Sequence, residues 1–279
     1  MPSRWEVAFA GPAGAAIPLA APMAVVGGWL DDRPARRLQD GLAVPQRSGH
    51  DDQAKKWASG PLRTLAPTAP GRAEAAIALQ VRLLDDGLAD RLRAAAVPGR
   101  VVRLGADDYV ITEEPRPAQH MSWHALRWWS GARAWQVRFV TPVCLRSGNR
   151  TSPWPAPASV ARGLAARWRQ LDPQTAPPPP RPGVGPVWVS DIEGHNEVQI
   201  LARNVRRDSR WRLEEEVISG FIGRIRYVCD RGTEDEAAAF DALMGFAAFA
   251  GAGSHTTYGF GVVQPEPTWQ PPTVRAGAP

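Results

Sequence analysis

Alternation of apolar and polar positions, and their switch to helical spacing, divide the chain into two stretches with the same order of elements. Arg4 to Ala10 alternates, with Trp5, Val7 and Phe9 on one side, and predicts a strand. A helix is expected over about 21–40, with Pro22 in its first turn, where a missing N–H has no helical partner to lose. A short strand over about 53–60 and another over about 75–83 follow, the second running through Ala75-Ala76-Ile77-Ala78-Leu79-Gln80-Val81. Leu84, Leu88 and Leu92 lie at helical spacing and place a helix over Asp86–Ala96, before a strand over 100–112. Pro115 and Pro117, so close together, are expected to close this unit.

The pattern then restarts. Trp135 to Thr141 alternates as a half-buried strand does. A helix from Ala158 sets Val160, Leu164, Trp168 and Leu171 on one face, with Arg162, Arg167 and Arg169 read as the opposite one. Pro177 to Pro180 reads as a surface loop or polyproline segment. Strands are expected over Glu197–Val205, Trp211–Val217 and Phe221–Val228. Thr233-Glu234-Asp235-Glu236 has the form of a capping box. It opens a last helix that buries Phe240, Leu243, Met244 and Ala247 and ends at Gly251. A strand through Phe260–Val263 finishes the pattern. Each stretch is therefore β-α-β-β-α-β, the ferredoxin-like order that RNA-recognition domains also use. The expected fold is α+β: tandem ferredoxin-like (RRM-like, βαββαβ) domains over 1–117 and 118–265, with a loose proline-rich tail over 266–279.

Composition adds little. Lys and Arg outnumber Asp and Glu by 33 to 28 and the pI is about 9.8, a modest pull toward a polyanionic partner. Cys144 and Cys229 have no CxxC spacing, so neither a metal site nor a disulfide framework is indicated. They read as small buried hydrophobes in a reducing cytoplasm, the expected location. The apolar stretch from Val7 to Leu30 is broken by Pro12, Pro18 and Pro22, so no membrane span is expected.

Gly251-Ala252-Gly253-Ser254-His255-Thr256-Thr257-Tyr258-Gly259-Phe260-Gly261 joins the last helix to the last strand. Its four glycines permit tight turns and close backbone approach. Successive N–H groups in such a loop can form an anion nest, and Ser254, Thr256 and Thr257 can donate to phosphate. A Walker A loop is excluded because no Gly-Lys-Ser/Thr is present, and GxGxxG fails at Thr256. On spacing alone, a plain glycine-rich helix-to-strand turn fits equally well.

Gly251-x-Gly253-x5-Gly259-x-Gly261 in this place resembles the C-terminal glycine-rich loop of the RAMP superfamily. Ser219-Gly220-Phe221-Ile222-Gly223-Arg224-Ile225 resembles the Gly-Phe strand of the CRISPR repeat-processing endoribonucleases in that superfamily. Phe139-Val140-Thr141-Pro142 and Pro153-x-Pro155-x-Pro157 resemble the start of their second domain. The resemblance covers about the last half of the chain. It implies an endoribonuclease that binds CRISPR repeat RNA and cuts precursor CRISPR RNA, with no cofactor or metal. CRISPR effector-complex subunits are further possible partners, and the alternative is a RAMP subunit that holds CRISPR RNA without cutting it.

In that family the catalytic histidine precedes a short segment ending in Ser-Pro-Leu, often with a lysine between. The positions that match here are His50, Lys56 and Ser59-Gly60-Pro61-Leu62, with Gly60 inserted; relatives with an upstream tyrosine differ, since the first tyrosine here is Tyr109. The residue types suit the chemistry. RNA supplies its own 2′-OH as nucleophile; a histidine titrating near neutrality can take that proton or protonate the leaving 5′-oxygen. Asp51 and Asp52 beside His50 would favour a general acid. A lysine offsets negative charge developing on the phosphorane. Taken alone, His50 would read as a solvated loop histidine.

Further RNA contacts are expected from Arg206, Arg207, Arg210 and Arg212, which bracket Trp211 between two predicted strands, and from Arg162. A charged, solvated hairpin balanced by Glu214, Glu215 and Glu216 is the equal alternative. His255 inside the loop is a candidate RNA contact, while His195 is expected in a turn. His255-Thr256-Thr257 and His120-Met121-Ser122 also fit the His-x-Thr/Ser form of 2H phosphodiesterases, a class that needs both histidines on one groove.

Overall fold

The computed structural model describes residues 1–31, 36–37, 43–44, 55–65, 74–127, 130–147, 150–178, 186–207 and 210–265. The first half runs β1 (Ser3–Pro12), α1 (Ala21–Leu30), β2 (Arg36–Arg37), β3 (Ala43–Val44), β4 (Trp57–Thr64), β5 (Glu74–Leu83), α2 (Gly87–Ala95), β6 (Val101–Leu104), β7 (Asp107–Ile111) and β8 (Arg116–His120). The short α3 (Trp123–Leu126) leads to β9 (Ala134–Val143), β10 (Leu145–Ser147), β11 (Arg150–Ser152), α4 (Pro157–Leu171), β12 (Trp188–Arg207), β13 (Arg210–Val228), α5 (Glu234–Ala250) and β14 (Val263–Pro265). A single 3₁₀ turn, Thr256–Tyr258, lies between α5 and β14.

Two antiparallel sheets carry the architecture. The first has the order β4-β5-β1-β7-β6, the second β12-β13-β9-β14. With the β6–β7 hairpin taken as one position, both read 2-3-1-4 within their half, the ferredoxin-like arrangement. Trp5, Val7 and Phe9 of β1 and Leu79, Val81 and Leu83 of β5 form one face, packed with Val26 and Trp29 of α1 and Leu88 and Leu92 of α2. In the second half Trp135, Val137, Phe139, Ile225 and Tyr227 face Leu164 and Trp168 of α4 and Phe240, Leu243 and Phe246 of α5. Thr233 caps α5 through the expected capping box with Glu236. Among the described residues, no helix is long and apolar enough to cross a membrane.

Several elements depart from expectation. The first helix stops at Leu30, not near 40, because Asp31 turns extended and its carboxylate accepts from Trp57 Nε1 at 2.8 Å. Residues 36–37 pair instead with 43–44 as a two-stranded ribbon. The strand expected over 100–112 is a hairpin, folded back at Gly105 with φ +71°. The prolines near 116 do not end the unit: β8 pairs with Ser3–Glu6 of β1, on the edge that β7 leaves uncovered. Proline is tolerated on such an edge strand. The divide drawn between 117 and 118 thus falls inside β8.

The expected strands 211–217 and 221–228 are one strand, and with β12 they form a hairpin of 20 and 19 residues. Gly194 and Gly223 face each other across it, and a Cβ on Gly194 would lie 2.2 Å from the Ile222 carbonyl oxygen and 2.7 Å from the Phe221 ring. The glycines therefore seat an aromatic ring against the sheet and do not mark a turn. His195 accordingly sits within β12 and not in a turn.

Candidate active site at the junction of the two halves

The glycine-rich loop is a buried joint. Gly251 leaves α5 with φ +72°, and Ala252 N–H donates to Gly261 O at 2.8 Å, closing the loop on itself. Ser254 N–H and Oγ both donate to Cys144 O, at 2.8 and 3.0 Å. Thr141 Oγ1 donates to Gly259 O at 2.7 Å and accepts from Val262 N–H at 2.9 Å. His255, in the left-handed region at φ 62°, packs its ring against Tyr258 and Phe260. Thr256 and Thr257 are buried. Gly253 is exposed and Ser254 half-buried, so this edge is the part of the loop most open to a ligand.

The loop faces the start of β4 in the other half. Ser59 Oγ donates to Thr257 O at 3.0 Å. Arg167 of α4, buried at 5% exposure, is the larger connection. Its Nη1 donates to Ala250 O and to Thr256 Oγ1, each at 2.8 Å, and its Nη2 to Lys55 O and Trp57 O, each at 3.2 Å. Asp31 takes Trp57 Nε1 on one carboxylate oxygen and the Lys55 ammonium on the other, and its carbonyl accepts from Arg91 at 2.9 Å. The ends of the segment from Asp31 to Lys55 are therefore tied together.

Lys56 points outward at this start of β4, and its ammonium lies 2.6 Å from Asp85 Oδ2. That hydrogen bond pulls the Asp85 carboxyl below its ordinary range, against a smaller opposing effect of burial and with help from Gly87 N–H. A depressed carboxylate contributes stability above its unfolded pKa and loses it as pH falls through the folded value. The pair is largely exposed. Asp85→Asn is thus expected to cost at most about 1 kcal/mol at pH 7, with the cost shrinking as pH falls below the ordinary carboxylate range, read from urea unfolding across that span.

Beneath this joint Arg82 is buried at 1% exposure. It donates from Nε to Gln80 Oε1 at 3.0 Å, while its Nη1 has no hydrogen-bond partner among the described residues. Burial lowers its pKa to about 9, and the charges of Arg4 and Arg167 push the same way. A buried charge so poorly compensated destabilises the fold. Arg82→Met is expected to raise stability by about 1–4 kcal/mol in urea unfolding. A loss of stability would contradict this reading.

Residues 137–263 match the family described as CRISPR-associated endoribonuclease Cas6. Solved structures extend the likeness to nearly the whole fold. A Cas6 product complex is 24% identical with TM-score 0.66, covering 96% of this chain and 100% of that one. Thermus thermophilus Cas6 is 20% identical with TM-score 0.58, covering 95% and 98%. A RAMP protein binding different RNA substrates is 13% identical with TM-score 0.51, covering 95% and 100%. No curated protein sequence matches the chain.

Within this Cas6-like fold the candidate residues fall in four groups. Lys56 and the glycine loop meet at the junction, through Arg167 and Ser59. His50 lies outside the described residues, as do residues 266–279. Arg206 and Arg207 end β12, and Arg210 and Arg212 open β13, with Arg206 paired to Trp211 and Arg207 to Arg210. Arg162 is exposed on α4, with Nε donating to Ala158 O at 3.2 Å.

Burial bears on three expectations. The hydroxyls assigned to phosphate are turned inward: Thr256 accepts from Arg167, and Ser254 donates to Cys144 O, because the loop must close against β9 and α4. The buried ring of His255 leaves it off any open groove, which removes the 2H arrangement. Arg167, assigned to the solvent face of α4, is instead in the core. The signal was present, since Val160, Leu164, Arg167 and Leu171 follow the i, i+4, i+7, i+11 stripe.

Sequence reading also missed a basic row on the face of the second sheet away from its helices. Arg138 of β9 lies opposite Arg224 of β13, and Arg226 lies opposite Gln136. Glu193 and Asp191 of β12 flank Arg224 and Arg226. Only strand pairing brings these residues together.

Proposed function

We propose that the chain is an endoribonuclease that binds CRISPR repeat RNA and cleaves precursor CRISPR RNA. The observation that carries this reading is the Cas6-family match over 137–263, set in a tandem ferredoxin-like fold. The cut proceeds by transesterification. The 2′-OH gives up its proton and attacks the adjacent phosphorus, the 5′-oxygen leaves and takes a proton, and the products are a 2′,3′-cyclic phosphate and a 5′-OH. His50 moves one of these protons and solvent water the other, and the Lys56 ammonium offsets charge on the phosphorane. No metal is required for this step.

RNA reaches the junction along basic surfaces. The arginines at the tip of the β12–β13 hairpin clamp phosphates, Arg162 adds a further contact, and the glycine loop offers its Gly253–Ser254 edge. In this reading the two ferredoxin-like halves act as one unit. The test is a binding and cleavage comparison between the cognate repeat RNA and a shuffled RNA of equal length. One cut confined to the repeat supports the proposal; tight repeat binding without any cut would make the chain a non-catalytic RAMP subunit.

A further inference from the structure

We propose that Arg167 is a positioning residue for RNA cleavage, acting through the backbone at the start of β4; the inference rests on the nuclease reading above. Lys56 is flanked by Lys55 and Trp57, and the carbonyls of both accept from Arg167 Nη2 at 3.2 Å. The carbonyl of Lys56 itself accepts from Leu84 N–H at 2.8 Å. All three peptide units around this lysine are thus fixed, while its ammonium is left toward solvent beside Asp85.

The other nitrogen of the fork carries the constraint into the second half. Nη1 reaches the last carbonyl of α5 and the Thr256 hydroxyl. One guanidinium therefore sets the distance between the glycine loop and the segment that carries Lys56. The planar fork is what this task requires, since an ammonium is a point charge and cannot span both acceptor pairs. Misplacement of a catalytic group by about 1 Å is enough to cost about 10²-fold in rate.

The test compares the full chain with Arg167→Lys and Thr256→Val in single-turnover cleavage of repeat RNA, with RNA affinity measured separately. Arg167→Lys is expected to lower the cleavage rate constant by about 10²-fold while RNA affinity stays within about threefold. Thr256→Val, which removes one acceptor and keeps the side-chain shape, is expected to lower the rate by a smaller factor in the same way. Guanidinium ion added to Arg167→Gly is expected to restore part of the rate. Equal losses of rate and affinity, or an Arg167→Lys chain that does not fold, would show a merely structural role and overturn the proposal. Wild-type cleavage with an unchanged rate in Arg167→Lys would overturn it while leaving the nuclease intact. No cleavage by the wild type would remove the nuclease reading and this inference together.

Discussion

His50→Ala is expected to lower the single-turnover rate of repeat cleavage by about 10²–10⁴-fold, with RNA affinity changed only a few-fold. The separation follows from what a proton-transfer group does. It acts on the 2′-OH or the leaving oxygen as bonds change, and it contributes little to holding a polyanion, which basic residues along the chain can do. Histidine is the only side chain here whose ordinary pKa suits both directions of transfer near neutrality. The segment between Asp31 and Lys55 is anchored at both ends by the Asp31 ion pair and by the Trp57 indole. Filter binding and gel-resolved cleavage on the same samples check the result; full activity in the variant would take His50 out of the mechanism.

Gly261→Ala should be among the most destabilising single changes in the chain. Gly261 has φ +62°, and an added Cβ would stand 1.8 Å from Ala252 O. That oxygen belongs to the backbone that closes the loop, since Ala252 N–H donates to Gly261 O and Gly261 N–H to Pro142 O, both at 2.8 Å. No side-chain rotation relieves such a clash. Left-handed backbone strain alone costs about 1–2 kcal/mol. With the clash, a total of about 3–5 kcal/mol is expected, in the range reserved for overpacking at a special backbone position. The corresponding drop in Tm is about 10 °C for a chain of this size. Gly14→Ala is the control: it also has positive φ, but nothing lies within 4 Å of the added Cβ, so only the backbone cost of about 1–2 kcal/mol remains. Equal Tm losses in the two variants would contradict the account of the loop as a closed joint.

Local pattern made much of the fold legible. The alternation in β1, the leucine spacing of α2 and the capping box at Thr233 are each decided by neighbours within a few residues. Features decided by distant partners were not legible. Strand β8 forms despite Pro117 because β1 offers it an open edge. The β12–β13 hairpin runs through Gly220 and Gly223 because each opposes a strand that needs the room. At the site, family resemblance pointed to the glycine loop and Lys56, yet the inward use of Thr256 could not be read from the loop itself. It depends on Arg167, more than eighty residues away. The arginine row of Arg138, Arg224 and Arg226 exists only once β9 and β13 pair.

The most direct test of the central claim is to incubate the purified chain with end-labelled cognate repeat RNA in excess EDTA and identify the product ends by mass. The account predicts a single cut, with a 2′,3′-cyclic phosphate on one fragment and a 5′-OH on the other. Bound but intact RNA, or a cut that appears only when divalent metal is restored, would contradict it.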